Sequence, residues 1–84
     1  MIVTGQVSVG DASPTAIVSG SGRTHVTAQK LGGTIAYGDG AVTPSTGFGR
    51  NTSELLDIDL NDGETLYAIA DTGQSGTVVF IAHN

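Results

Sequence analysis

Eighty-four residues make one small domain, 1–84, with no cysteine to staple it and only two Phe, two Tyr and no Trp to fill its core. Eight Asp and Glu against three Lys and Arg give a net charge of −5, and Arg23, Lys30 and Arg50 stand singly, so a phosphate-tracking nucleic-acid groove is not expected. No run approaches the roughly 20 apolar residues of a membrane-spanning helix, and thiolate metal sites are excluded.

From the N-terminus, Ile2-Val3-Thr4-Gly5-Gln6-Val7-Ser8-Val9 predicts a strand with Val3, Val7 and Val9 on one side, where Gly5 marks a bulge. Gly10 to Pro14 is a turn cluster, and Thr15 to Ser19 a short second strand. Arg23 to Leu31 predicts a third, with His25 and Thr27 on one face and Val26 and Ala28 on the other. Gly32-Gly33 signals a two-residue hairpin into Thr34-Ile35-Ala36-Tyr37. Ala41-Val42-Thr43 reads as a brief strand, and Pro44 to Ser53 as the longest loop.

The last third reads as a meander. Leu56, Ile58 and Leu60 alternate with Asp57 and Asp59; Asn61-Asp62-Gly63 turns the chain into Leu66 to Ala70; a second turn over Asp71 to Gly76 leads into Thr77 to Ala82. That last run is nearly all apolar, as expected of a central strand buried on both faces. No window has a helical period, and the thirteen glycines cluster at the joints between apolar runs. Such punctuation predicts an all-β fold: a single antiparallel β-sandwich of seven to eight strands. Periodicity leaves open whether it is jelly-roll-like or immunoglobulin-like.

The residues that carry chemistry elsewhere lack the required spacing here. Counted from Asp57 as an EF-hand loop, position 6 is Asp62 rather than Gly and position 12 is Ala68 rather than Glu. His25 and His83 are the only histidines, too few for zinc without recruiting carboxylates. Gly73-Gln74-Ser75-Gly76 is a glycine short of a nucleophile elbow. No catalytic residue, metal or cofactor is expected, and no enzyme. Phe48, between Gly47 and Gly49 and beside Arg50, either presents an apolar anchor to a partner or folds back to plug an open end of the sandwich. Phe48, Arg50 and Tyr37 are the candidate partner-binding residues. Because so short a chain has a marginal core, association with copies of itself or with something larger is expected.

Arg23-Thr24-His25-Val26-Thr27, Thr34-Ile35-Ala36-Tyr37-Gly38 and Ala41-Val42-Thr43 with its glycine-containing loop form a series of motifs. Leu56-Asp57-Ile58-Asp59-Leu60, Gly63 to Ala70 and a final apolar strand continue it. Together, from Arg23 to Ala82, they resemble a family of short β proteins encoded in tailed-bacteriophage structural gene clusters. The resemblance implies a virion protein on the capsid surface, of decoration or cement type. Its partners would be copies of itself, with a trimer at a threefold position as one candidate arrangement, and the major capsid protein or another virion protein. It implies no nucleic-acid or membrane partner. The alternative is a carbohydrate- or receptor-binding module of a phage or bacterial surface structure, in which Tyr37 or Phe48 would contact the ligand.

Overall fold

Each strand of this chain lies in the opposite sheet from the strand before it. A computed structural model describes residues 2–32, 34–43, 45–47 and 55–83. Among them are seven strands: β1 (Ile2–Val9), β2 (Thr15–Ser19), β3 (Thr24–Leu31), β4 (Ile35–Gly38), β5 (Leu56–Leu60), β6 (Thr65–Ala70) and β7 (Gly76–His83). One sheet has the order β1-β7-β3-β5 and the other β2-β6-β4. All pairings are antiparallel. β1 pairs with β7, β2 with β6 and β3 with β5, nested about β4. The chain is one long hairpin rolled on itself, which is the jelly-roll winding and not the immunoglobulin one.

That winding corrects three sequence expectations. The glycine pair at 32–33 does not join a hairpin, because β3 and β4 lie in different sheets. For the same reason β5, β6 and β7 are not a meander. Their connections, 61–64 and 71–74, are β-turns closed by Glu64 N–H to Asn61 O at 3.0 Å and Gln74 N–H to Asp71 O at 2.9 Å. Gly63 (φ 83°) and Gly73 (φ 79°) supply the positive φ at the third position that type II turns require. Type II turns splay the strands they join instead of twisting them into a ladder. Finally, 41–43 is not a strand. Asp39 accepts the Val42 N–H on its carbonyl and the Ala41 N–H on its side chain, and this turn folds Val42 onto Ala36 and Ile69 on the outside of the three-stranded sheet.

The alternations read from sequence hold. Val26 and Ala28 face in, and His25 and Thr27 face out; Leu60 is buried, and Asp57 and Asp59 are exposed. The interior is built mainly of Val, Ile, Leu and Ala from both sheets, with Ile35, Val9, Val26 and Val78 the largest fully enclosed side chains. Gly5 makes no bulge, since β1 runs in unbroken register with β7. Its missing side chain instead makes room for the Phe80 ring, whose Cε1 and Cζ lie 2.6 Å from where a Cβ would be.

The glycines and acids at the joints bind the loops to one another at each end of the sandwich. At one end Gly20 N–H donates to Glu64 O and Gly63 N–H to Gly20 O, while the Asp62 carboxylate accepts the Gly22 N–H. At the other, Gly73 N–H donates to Asp11 and Ala70 N–H to Gly10 O, and the Gln74 side chain accepts the Thr34 N–H. Thr24, the buried polar residue, accepts the Ser21 N–H at 3.1 Å and donates back into the same turn. The loop acids therefore satisfy backbone donors that the strand ladders leave over.

Candidate docking face

The outer face of the four-stranded sheet is laid out by register, because residues directly opposite in an antiparallel pair project to the same side. Across β1, β7, β3 and β5 the outward rows are Ile2-His83-His25-Asp59 and Thr4-Ile81-Thr27-Asp57, followed by Gln6-Val79-Gln29 and Ser8-Thr77-Leu31. Leu55, just before β5, borders the same surface: with Thr27, Gln29, Val79 and Ile81 it lines a shallow depression of about 250 Å³. Ile2, Leu31, Leu55 and Ile81 are 69%, 50%, 58% and 42% exposed. The face therefore has an apolar centre in β7, an uncharged margin in β1 and an acidic margin in β5.

β7 lies in the middle of its sheet, as its apolar run predicts. It is not buried on both faces. Val78 and Ala82 point into the core, whereas Ile81 points out. A strand can be apolar on its outer side because it packs there in the monomer or because it packs there in an assembly. Among the described residues, nothing of this chain encloses Ile81.

One corner of the face carries a polar cluster. His25 Nδ1 lies 2.8 Å from Asp59 Oδ1 and Nε2 lies 3.1 Å from Asp57 Oδ1, and Thr27 donates its hydroxyl hydrogen to the same Asp57 oxygen. The His83 ring, opposite His25 on β7, is 5.5 Å away at a tilt of 47°. A neutral imidazole has one nitrogen lone pair, which would meet one of these carboxylates unfavourably. Only the imidazolium donates to both. The hydrogen bond to Asp59, then that to Asp57, accordingly raises the His25 pKa above its ordinary 6.5. The hydroxyl of Thr27, then His25, lowers that of Asp57 below 3.8.

These shifts set a pH window. A group whose pKa rises on folding stabilises the fold fully below its unfolded value and loses that contribution as pH climbs through the folded one. A lowered carboxyl does the reverse. The His25 contribution is thus complete below about pH 6.5 and fades above it, while that of Asp57 is complete above about pH 4 and fades in acid. The melting temperature is expected to be higher at pH 5.5 than at pH 8.5, with the difference much reduced in His25→Gln. An unchanged slope in that variant would show that the cluster is not its source.

Of the candidate partner-binding residues, Tyr37 alone lies among the described residues. Tyr37, on β4, is only 5% exposed; its ring belongs to the core and cannot serve as an open contact surface, and burial raises the pKa of its phenol. It borders a cleft of about 290 Å³ between the β4 and β5 edges, beside Leu56, Ile58 and Leu66, and a second hollow against Asp39, Ala41 and Val42. Phe48 and Arg50 lie outside the described residues. The residues that sequence reasoning passed over are Ile81, Leu55 and Ile2. The available signal was in β7, where Val79 and Ile81 are apolar at the two central outward positions of a strand next to turns rich in Gly and Asp.

No group of three or more His, Cys, Asp or Glu side chains among the described residues is placed to hold a metal ion. Compared with protein-family models, with curated proteins and with solved structures, the chain matches none.

Proposed function

We propose that this protein is a non-enzymatic bacteriophage virion protein of decoration or cement type, which docks on the capsid as a homo-oligomer through the outer face of its four-stranded sheet. The supporting observation is Ile81, an isoleucine at the centre of a sheet that remains 42% exposed, on a face that also carries the exposed Ile2, Leu31 and Leu55. Such a patch is characteristic of an interaction site. A standard protein interface takes about 800 Å² from each partner, which is about a sixth of this chain's 4671 Å². The outer face of the four-stranded sheet would supply it. The acidic margin at Asp57 and Asp59 would set the orientation against a cationic strip on the partner, since interfacial charge fixes register more than it adds affinity. The identification of that partner as a capsid comes from the strand-and-turn resemblance described above.

Gradient-purified virions from the chain's source are expected to carry it in a copy number matching a class of lattice sites, and to release it only when the particle is perturbed. Virions free of the chain would overturn the proposal.

A further inference from the structure

Among the described residues four strand edges bound the sandwich, and three of them carry features that block pairing with another strand. β5 is five residues long and presents Asp57 and Asp59. β2 is five residues long and bulged between Ala16 and Val18. β4 has four residues. Short length, charge and bulges are the devices by which proteins keep sheet edges from joining. β1 has none of them. It runs for eight residues, Ile-Val-Thr-Gly-Gln-Val-Ser-Val, with no charge and no proline, in unbroken register with β7 on its inner side. Every second residue of such an edge turns its N–H and C=O away from the sheet. Val3 faces the interior side yet is 43% exposed, because it sits in the outermost strand.

We infer that β1 is a seam at which two copies of this chain join, pairing antiparallel about a twofold axis to make one eight-stranded sheet. The inference rests on the homo-oligomeric reading above and names its contact. A second copy is the partner that fits because the strand is complementary to itself. With Gly5 opposite Gly5, Val3 meets the partner's Val7 on the inner side and Thr4 meets the partner's Gln6 on the outer side, so each face keeps its character across the seam. No like charges meet, as the strand carries none. The Phe80 ring beneath each Gly5 fills the space left at the axis. An edge that pairs with itself closes at two, which accounts for a finite assembly in place of a fibre. The two outer faces would merge into one continuous surface, with the apolar strips of the two β7 strands on either side of an uncharged centre and the β5 acids at both distant margins.

Thr4 and Gln6 are exposed and project outward, so Thr4→Lys/Gln6→Lys and Thr4→Glu/Gln6→Glu are expected to fold with the wild-type circular-dichroism spectrum. Each puts like charges across the seam, in the Gly5-centred register or in one shifted by two. Light scattering on the size-exclusion eluate should find two chains per particle for wild type at micromolar concentration, and one for each variant, with dimer affinity reduced at least tenfold. An equimolar mixture of the Lys and Glu variants should return to two. A monomeric or trimeric wild type, or variants whose mass stays at that of wild type, would overturn the seam; so would a folded mixture that remains monomeric. None of these measurements involves a virion. A dimer lost in the variants and absent from virions would uphold the seam while refuting the capsid reading. A capsid-bound trimer would do the opposite.

Discussion

Ile35→Ala is expected to cost about 2–5 kcal/mol, the range for emptying a fully enclosed aliphatic site. Ile35 is 0% exposed and heads the enclosed side chains of the core; its Cδ1 lies 2.9 Å from where a Cβ on Gly76 would stand, so β4 and β7 meet across it. Collapse around the gap is limited. On one side is a glycine with nothing to move inward, and β4 is held outside by Ala36 under Val42 and Ile69. A chain of this length has about 4–13 kcal/mol of stability in all. At about 4–8 °C per kcal/mol for a domain this small, the melting temperature should fall by at least about 8 °C. Ile35→Val should lose about 0.5–1.5 kcal/mol. Thermal denaturation by circular dichroism measures both, and an Ala variant melting within 3 °C of wild type would contradict the enclosure described for this residue.

Ile81→Glu should have the opposite profile, with little change in folding and a large loss in docking. Its side chain projects outward between Thr4 on β1 and Thr27 on β3, where a glutamate can reach water, and solvent-face changes on a strand stay within about 1 kcal/mol. On a bound lattice the same change would bury a carboxylate at the centre of the contact, in the same row as Asp57 and separated from it by Thr27. Central apolar contacts in an interface are worth about 2 kcal/mol or more, or roughly thirtyfold in affinity. Sedimentation with heads that lack the chain should show wild type bound and Ile81→Glu left in the supernatant at concentrations that saturate wild type. A variant that binds as wild type does would place the contact on another surface. His25→Gln serves as a comparison: it removes the titratable ring at the corner of the face, and its main effect is expected on the pH dependence of melting.

The strands, their facing and the all-β class were legible along the chain because each depends on neighbours one to eight residues apart. Alternation places Val26 inside and His25 outside whatever strand lies beside β3, and a turn such as Asn61-Asp62-Gly63 is chosen by its own backbone torsions. That β3 lies between β7 and β5 is a different kind of fact. It depends on which apolar faces close over one another at separations of thirty to eighty residues, and period-two patterns are compatible with many such pairings. The hairpin expected at 32–33 and the meander expected over the last third were misplaced for that reason, since the same turn residues serve a ladder or an arch between sheets.

The docking face divides along the same line. His25, Asp57 and Asp59 could each be placed on a wet face from sequence, but the imidazole ring lies between two carboxylates only because β3 and β5 are neighbours. The apolar run of β7 was plain in the chain and was reasonably taken as burial on both sides. Only the order β1-β7-β3-β5, with the second sheet covering one side, leaves Ile81 facing outward and turns a packing signal into a surface. Local torsion preference and apolar spacing dictated what the segments are. The tertiary closure of two sheets over one thin core decided which of their faces and edges were left without cover, because a sandwich this small has apolar surface to spare on more sides than it can close.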